Sequence, residues 1–437
     1  MSASPDTLKL TPEFIQALDL LETTHANAFI SGKAGTGKST FLDHFRTHTH
    51  KKIAVVAPTG VAALHVKGQT IHSFFNIKPG LIDPGTFKPH KNKKLLGALD
   101  LLIIDEISMV RADLFTAIDL TLRHNNKTHL PFGGVQICVI GDLFQLPPVV
   151  SRAEEEAYST LYPSPYFFSS PSFEDADFTV IRFDTVFRQD NRDFVNMLNR
   201  LRVGHNGPDI LTYLNRRNVP ATELGDDGTV VLTTTNAIAD QVNESALAAL
   251  SGQPRTYTGT LTGKFEKDET RLPSPLELVL KVGAQVMFTR NDMPRRRWVN
   301  GTIGTVSALA EDHVAVDVKT PLGRTRTHLI EPERWVNMAY GVDEKGNITQ
   351  TEVGSFTQYP LMLSWAVTIH KSQGKTLDKV VLDLGKGAFS PGQLYVALSR
   401  CRDIEKLVLR QPIRPRDVKC DPRIMAFVRA YMAARSA

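Results

Sequence analysis

Short runs of β-branched and other apolar residues alternate with longer amphipathic stretches through the first half of the chain. The apolar runs occupy residues 28–30, 53–57, 101–105, 135–142 and 179–183. Strands that are apolar throughout and alternate with helices are typical of a parallel sheet that helices cover on both faces. The pattern therefore predicts an α/β core in this half of the chain.

The second half repeats this pattern and interrupts it. Apolar runs at residues 230–234, 379–384 and 406–410, with an amphipathic stretch at 236–250, predict a second α/β core. Between them, residues 256–357 contain closely spaced short apolar runs separated by Gly and Pro turns, without helical stretches. This texture predicts a small β-barrel inserted into the second core.

The same patterns predict where each segment ends. A stretch rich in Pro, Gly and Lys interrupts the first core. The predicted segments are residues 1–75 with 95–185 for the first core, 76–94 for its insertion, 186–255 with 358–437 for the second core, and 256–357 for the barrel. A length of 437 residues with 42% hydrophobic content agrees with more than one core.

Charge and cysteine content narrow the classes of partner. The chain has 51 Lys and Arg against 46 Asp and Glu, a mild excess of +5 that permits a nucleic-acid partner without requiring one. Three widely spaced cysteines fit neither a disulfide framework nor a zinc site, which predicts a reduced, intracellular protein. Without an export signal or an apolar run of about eighteen residues, we expect a chain that works in solution and has no membrane partner.

A glycine-rich stretch marks the candidate nucleotide site. Residues 32–39 read GKAGTGKS, a full match to the phosphate loop, between an apolar run and an amphipathic stretch. Backbone N–H groups of such a loop cradle phosphate oxygens, Lys38 adds positive charge at the β and γ phosphates, and Ser39 can ligate Mg²⁺. The alternative, a chance glycine-rich turn, is disfavoured because both match and context agree.

Two acidic residues follow the apolar run at 101–105. Burial of the adjacent carboxylates of Asp105 and Glu106 is unfavourable unless a cation or hydrogen bonds compensate. We therefore expect Asp105 to ligate Mg²⁺ and Glu106 to act as the base that polarises an attacking water. The alternative is a pair that caps a helix running from Ser108 onward.

Three more polar residues are candidates for the same site. Gln145 lies in GDLFQLPP, where the prolines end a strand and hold the turn, so its amide can approach the γ-phosphate. Arg188 in VFRQD and Arg400 in LYVALSRCRD can neutralise charge that develops in the transition state. The apolar spacing of the predicted helix before Arg400 directs that residue toward a helix end rather than into the core. Taken singly, each is explained as well by a turn or a surface salt bridge.

Eight motifs in order resemble a known family. They read GKAGTGKS, APTGVAA, GQTIHSFF, DEISM, GDLFQLPPV, VFRQ, TIHKSQGKTLD and LYVALSRCR, and span about residues 10–415. This order is similar to helicases of superfamily 1, type B, most closely the Pif (petite integration frequency) helicases, with RecD-type helicases next. The resemblance implies two RecA-like cores with ATP between them, an insertion in each core, a Src-homology-3-like barrel as the second insertion, and 5′ to 3′ translocation on single-stranded DNA.

The resemblance also implies roles for individual residues. Gln145 would sense the γ-phosphate and couple it to DNA, while Arg188 and Arg400 would close on the phosphate. The implied ATP contacts are Gly32, Ala34, Gly35, Thr36, Gly37, Lys38, Ser39, Thr40, Gln16 and Gly374. One feature departs from the family: where its members carry a glutamine that reads adenine, this chain has Phe14, with Gln16 two residues later. This departure puts strict ATP preference in question.

Two motifs provide candidate contacts for a nucleic-acid strand. Thr59 and Gly60 can bind a phosphate through hydroxyl and N–H groups, while His72 and Phe75 offer ring faces for a base. Core packing is the alternative for Phe74 and Phe75, and we expect it for at least one of them. In TIHKSQG, the donors His370, Lys371 and Ser372 are candidate DNA contacts by resemblance, with His370 preferred.

Basic clusters in the two predicted insertions extend this expectation. They are Lys88, Lys91, Lys93 and Lys94 in the first, and Arg295 to Arg297 with Trp298 in the second. Solvated surface charge is the usual explanation of such runs. In a motor of this type, we expect them to contact the displaced strand or the junction of single-stranded and duplex DNA.

Three other functions remain open. A RecD-type subunit would use the same motor but usually carries a longer N-terminal region for partner binding, and an RNA helicase would differ in substrate. A non-catalytic, nucleotide-gated binder is disfavoured because the residues for hydrolysis are all present, namely Lys38, Asp105, Glu106, Arg188 and Arg400. No additional acid or histidine cluster supports a nuclease. We expect a monomer, with a DNA-induced dimer as an alternative.

Overall fold

A computed structural model describes residues 10–90, 92–189, 191–219, 228–266, 268–292, 295, 297–320 and 324–432. Its first sheet has six parallel strands: β1 (Asn27–Gly32), β2 (Ile53–Ala57), β3 (Gln69–Thr70), β4 (Leu101–Ile104), β5 (Gln136–Gly141) and β6 (Phe178–Phe183). The spatial order is β3-β2-β4-β5-β1-β6. Strands β4 and β5 are buried at every residue, because helices cover both faces of the sheet.

Eight helices belong to this part of the chain. They are α1 (Pro12–Thr23), α2 (Lys38–His48), α3 (Gly60–His65), α4 (Ile71–Phe75), α5 (Lys93–Leu96), α6 (Ala112–Asn126), α7 (Glu155–Leu161) and α8 (Pro171–Asp175). Helix α6 begins later than the helix expected from Ser108 onward. A short 3₁₀ turn, Ile107–Met109, occupies that position, so the acid pair does not cap the helix.

The second half contains helices α9 (Arg192–Arg202), α10 (Pro208–Asn215), α11 (Asn236–Ala249), α12 (Gln393–Arg400) and α13 (Pro422–Phe427). Its strands are β7 (Val230–Thr233), β8 (Arg255–Thr258), β9 (Thr260–Gly263), β10 (Glu277–Leu280), β11 (Gln285–Phe288), β12 (Ile303–Leu309), β13 (Val314–Lys319), β14 (Thr325–Ile330), β15 (Glu333–Val342), β16 (Ile348–Gln358), β17 (Leu361–Leu363), β18 (Ala366–Thr368), β19 (Val380–Asp383) and β20 (Leu407–Leu409).

These strands form two kinds of sheet. Strands β18-β7-β19-β20 pair in parallel and make the second α/β core. Strands β14-β13-β12-β11-β17 form an antiparallel sheet, accompanied by β15-β16-β9 and β10-β8. The predicted fold class, two parallel-sheet α/β cores, is confirmed, whereas the Src-homology-3 likeness and the segment boundaries stay predictions.

Two segments of the second half pack against the first core. The ring of Phe427 stacks on Phe168 at 4.1 Å, and Ile424 joins the same hydrophobic cluster, although the pattern placed this stretch in the second core. From the β15–β16 hairpin, Tyr340 packs against Phe74, and its hydroxyl accepts a 2.9 Å hydrogen bond from the N–H of Val55. The two halves are therefore joined at two separate places. Among the described residues, no helix combines the length and apolar character that crossing a membrane requires.

Candidate nucleotide cleft and strand-binding surface

A cavity of about 1360 Å³ lies where the two cores meet the five-stranded antiparallel sheet of the predicted barrel. The first core lines it with the phosphate loop, Glu106 and Gln145. The second core adds Gly374, Arg188 and Arg400, and the barrel adds residues 301–305. The residues predicted to act in hydrolysis are thus brought together from separate parts of the chain.

The phosphate loop connects β1 to α2. Gly35 and Gly37 have φ angles of 79° and 83°, in the left-handed region that glycine adopts without strain. The Nζ of Lys38 donates to the carbonyl oxygens of Gly32 and Lys33, at 2.7 and 2.9 Å. Burial lowers the pKa of Lys38, against the opposing pull of nearby carboxylates. Ser39 and Thr40 are exposed and line the cavity at the start of α2.

The acid pair lies at the carboxyl end of β4. Burial raises the pKa of Asp105 to about 7, and the adjacent Glu106 carboxylate adds to the rise. Burial also raises the pKa of Glu106, while Lys38 and Arg400 oppose that rise. A cation would relieve the repulsion between the two acids. The Asp105 carboxylate and the Ser39 hydroxyl are hard oxygen donors of the kind that Mg²⁺ prefers, so this donor set fits the ion.

Two glutamines connect the acid pair to the turn after β5. Gln145 is 7% exposed, and its Nε2 donates to Asp142 Oδ2 at 3.3 Å. The Nε2 of Gln373, from the second core, donates to Gln145 Oε1 at 3.4 Å and to Glu106 Oε2 at 3.2 Å. Gln373 was missed in the sequence, although it lies inside the motif TIHKSQG. Its contact with the base candidate links the two cores directly.

Both candidate arginines reach the cavity. The Nη1 of Arg188 donates to the carbonyl of Ser399 at 3.2 Å, and Arg188 lies against Gly35 of the phosphate loop. Arg400 ends α12 as predicted, yet it is buried, with 1% exposed, and donates to the carbonyls of Val396 and Lys375. Burial lowers the pKa of Arg400 to about 9, with Arg188 as the next cause. Within the described ranges neither arginine forms an ion pair, which contradicts the surface salt-bridge alternative.

The end of the cavity near α1 differs from the family pattern. Phe14 is 5% exposed and lines the cavity, whereas Gln16 is exposed on α1 and lies outside the lining. The structure therefore contradicts Gln16 as a nucleotide contact. Phe187, which was missed, is 48% exposed in the cavity, and its N–H donates to the carbonyl of Gly35 at 2.8 Å. Its position directly before Arg188 was the one available clue in the sequence.

Helix α12 touches the Gln145 turn through a glycine. Gly392 precedes the helix with a φ of 73°, which favours glycine. A Cβ at this position would lie 2.4 Å from the carbonyl oxygens of both Gln145 and Phe144. The backbone of the second core therefore packs directly on the backbone that carries Gln145.

Part of the predicted strand-binding set lies on an accessible surface. Thr59 is exposed, and its hydroxyl accepts the N–H of Ala62 at the start of α3. No heavy atom lies within 4 Å of a Cβ built on Gly60, which leaves its backbone approachable. His370 and Lys371 are exposed, and His72 is half-buried.

The remaining two members are buried. Phe75 is 2% exposed and packs against Phe74, with ring centroids 4.9 Å apart. Ser372 is fully buried, and its hydroxyl donates to the carbonyl of Ile369 at 2.7 Å. Neither side chain is accessible to a strand, so the structure contradicts both contacts. Both phenylalanines of the motif are core residues.

The basic clusters also divide. Lys88, Lys93, Lys94 and Arg295 are exposed. Arg297 forms an ion pair with Asp292 at 2.7 Å, and its guanidinium lies 4.2 Å from the ring centroid of Trp298. Lys91 and Arg296 lie outside the described residues. Arg295 is therefore the accessible cation of the barrel cluster within the described part.

The chain is similar to characterised proteins over nearly its whole length. The family model of PIF1-like helicases matches residues 13–207. The ATP-dependent DNA helicase Pif1 of Bdellovibrio bacteriovorus is 32% identical, over 97% of this chain and 92% of that protein. Human ATP-dependent DNA helicase PIF1 is 33% identical over 93% of this chain, which spans 62% of the human protein.

Solved structures agree with this similarity. The structure of a Bacteroides Pif1 in complex with ADP-AlF4 superposes with a TM-score of 0.89 at 37% identity, covering 98% of each chain. Bacteroides Pif1 bound to ssDNA gives a TM-score of 0.71 at the same identity and coverage. A structure described as two coordinating Pif1 helicases at forked dsDNA gives 0.70 at 36% identity, again over 98% of each chain.

Proposed function

Since this chain belongs to the PIF1-like helicase family, we propose that it couples ATP hydrolysis to 5′ to 3′ movement along single-stranded DNA and to strand separation. Relatives that match it over most of its length are named ATP-dependent DNA helicases. The chain is accordingly an ATP-dependent DNA helicase. One observation carries the proposed mechanism: the phosphate loop, Glu106, Gln145 and two arginines from different segments line a single cavity.

The first core supplies the hydrolytic groups. Lys38 exchanges its bonds to the carbonyls of Gly32 and Lys33 for phosphate oxygens. A magnesium ion held by Ser39 and Asp105 would supply charge neutralisation at the β and γ oxygens. Glu106, held by the amide of Gln373, accepts the proton of the attacking water.

The second core supplies positive charge. Arg400 is buried and Arg188 is half-buried, and both donate to backbone carbonyls, which only partly compensate their charge. A phosphate in the cavity is a stronger partner than these carbonyls, so nucleotide binding draws the two cores together. Hydrolysis removes the γ-phosphate and releases them.

The base of the nucleotide packs near Phe14 and Phe187. Phe187 presents an exposed ring inside the cavity, beside Gly37 of the phosphate loop. A ring face binds any nucleobase with little discrimination. Because Gln16 lies outside the cavity, ATP selectivity in this chain does not depend on that glutamine.

The DNA strand contacts the accessible members of the strand-binding set. These are Thr59, Gly60, His72, His370 and Lys371, which belong to both cores. Opening and closing of the cleft changes the distance between the two groups, which allows one group to hold DNA while the other moves. The exposed lysines of the first insertion and Arg295 are placed for a junction, and a second copy joins on forked DNA.

Unwinding of matched 5′-tailed and 3′-tailed duplexes tests this function. With ATP, we expect separation of the 5′-tailed duplex, and none with the Lys38→Ala variant or without nucleotide. Activity only on the 3′-tailed duplex would contradict the proposed direction. Competition between oligo-dT and oligo-U for the single-strand site distinguishes DNA from RNA as the substrate.

A further inference from the structure

Tyr395 on α12 reaches across the cleft to the first core. Its side chain is 4% exposed, and its hydroxyl makes two hydrogen bonds there. It accepts the N–H of Ala34, in the phosphate loop, at 3.1 Å, and it donates to Asp142 Oδ2 at 3.1 Å. Burial, then the charge of Asp142, raises the pKa of Tyr395, so the phenol keeps the proton that it donates. One side chain of the second core thus holds two functional segments of the first.

Asp142 is the centre of this arrangement. It is 1% exposed, and its Oδ1 accepts from both Nε and Nη2 of Arg202, on α9, at 3.0 and 2.7 Å. Burial alone would raise the pKa of Asp142, but Arg202 and Lys38 hold it below its ordinary value. The guanidinium of Arg202 also lies over the ring of Phe144, 4.1 Å from its centroid. Asp142 is therefore a charged acceptor with a fixed orientation.

The second oxygen of Asp142 fixes the amide of Gln145. Because a carboxylate can only accept, Nε2 of Gln145 must face Asp142 and Oε1 must face away. That orientation allows Oε1 to accept from Gln373, which in turn donates to Glu106. A reversed Gln145 amide would place its oxygen against the Asp142 carboxylate and break the hydrogen bond between Gln373 and Gln145. The hydrogen bonds form a continuous path from Arg202 to the base candidate.

We propose that Tyr395 and Arg202 are positioning residues for hydrolysis. Through Asp142 they set the orientation of the Gln145 amide, and through Ala34 Tyr395 fixes the phosphate loop relative to the second core. This inference rests on the proposed function, since it assigns roles within the same hydrolytic site. Tyr395 and Arg202 both lie outside the lining of the cavity. A brace that only stabilises the fold would use the same contacts, so the test must separate the two.

The chain contains a matched control for Tyr395. Tyr166 is also a buried phenol, 1% exposed, and its hydroxyl donates to a carboxylate, Asp421 Oδ2, at 3.0 Å. It ties the first core to the C-terminal segment and lies outside the cavity lining. Tyr395→Phe and Tyr166→Phe each remove one buried phenol–carboxylate hydrogen bond, and Tyr395→Phe also removes the bond from the Ala34 N–H. The unfolding midpoint should therefore fall in both variants, and somewhat further in Tyr395→Phe.

Measurement of ATP hydrolysis with and without single-stranded DNA distinguishes a positioning role of Tyr395 from a role in fold stability alone. We expect Tyr395→Phe to lower the DNA-stimulated kcat about tenfold, while KM for ATP changes by less than about twofold, because the lost contact acts on the transition state. Tyr166→Phe should retain both constants. Arg202→Lys, which keeps the charge but not the two-pronged contact, should lower kcat in the same direction.

The double variant Tyr395→Phe with Gln145→Ala tests whether Tyr395 acts on hydrolysis through Gln145. If Tyr395 acts through Gln145, adding Tyr395→Phe to Gln145→Ala should lower kcat by no more than about twofold further. A full additional tenfold loss overturns the route through Asp142, and equal kinetics for the two Phe variants overturn the positioning role. Absence of DNA-stimulated hydrolysis in the unmodified chain overturns the proposed function instead.

Discussion

The carboxylate of Glu106 combines burial with a small number of polar contacts. Its pKa is raised by burial, and its identified side-chain donor is the amide of Gln373. A buried base with few donors keeps its lone pairs available for the proton of a water molecule. This environment distinguishes Glu106 from an acid that is fully engaged in structural bonds.

Glu106→Gln tests that assignment. Glutamine has nearly the same shape and can still accept from Gln373, but it cannot take a proton from water. We expect ATP and DNA binding to persist while steady-state hydrolysis falls at least about a hundredfold. Measurement of nucleotide affinity alongside turnover separates the two, with Glu22→Gln, on α1 away from the cavity, as the control. Normal hydrolysis by Glu106→Gln would remove the proposed role.

Roles that follow from local spacing were predictable from the sequence, whereas roles that depend on tertiary contacts were not, even for residues inside a motif. Lys38 follows from the loop that carries it, because spacing alone determines its position relative to the phosphates. Gln373 and Tyr395 acquire their roles from partners more than two hundred residues away in sequence. Phe75 was predicted incorrectly for a different reason. An aromatic residue next to another aromatic residue fits both a core and a base-stacking surface, and only its burial in the structure distinguishes the two.

At the scale of elements, the loop between β11 and β12 holds Arg295 and Arg297 differently. Arg297 is engaged by Asp292 and Trp298, whereas Arg295 is exposed. Reversal of charge at Arg297 would break a local ion pair and disturb the loop itself. Arg295 is the position at which an effect on DNA can be separated from an effect on folding.

We therefore expect Arg295→Glu to weaken binding to forked DNA and to reduce the salt dependence of that binding. Loss of one phosphate contact lowers the slope of log affinity against log salt by about one. Titration of forked DNA at several salt concentrations gives this slope, with Arg152→Glu, an exposed position in the first core, as the control. An unchanged slope, together with unchanged unwinding, would assign the cluster to solvated surface.

The type of an element was predictable where burial imposes a pattern on its apolar residues. The elements against which it packs were not predictable. The apolar runs of β4 and β5 identify central strands because both faces are covered. Helix α13 has an apolar face, but the face does not specify which core it joins, and the structure places it on the first. Helix α6 starts later than Ser108 because Val110 and Arg111 are extended, with ψ of 124° and 151°, and this separates the short 3₁₀ turn from the helix.

At the scale of the whole molecule, the β15–β16 hairpin joins the barrel to the first core. Tyr340 contacts Val55 and Phe74, and Arg46 donates to Gln350 at 2.8 Å. An unliganded Bacteroides Pif1 superposes on this chain with a TM-score of 0.88, against 0.71 for the one bound to ssDNA. In this chain, the docked hairpin is therefore part of an overall arrangement that is more similar to the unliganded relative than to the DNA-bound one.

If that arrangement competes with DNA binding, weakening the hairpin contact should favour DNA. Tyr340→Ala removes both the ring contact and the hydrogen bond, and we expect the affinity for single-stranded DNA to rise about fivefold. Tyr340→Phe keeps the ring and should produce a smaller rise. Fluorescence anisotropy with labelled oligo-dT measures both, and equal affinity in all three proteins would show that the hairpin contact is independent of DNA.

Gly392 determines how far α12 can move before the Gln145 turn moves with it. Where side chains separate two moving domains, they can change rotamer and absorb a small displacement before they transmit it. At Gly392 the backbone of the second core contacts the carbonyls of Phe144 and Gln145 in the first core, with no side chain of Gly392 between them. A shift of α12 is therefore transmitted directly to the Gln145 turn, so the two segments move as one rigid unit.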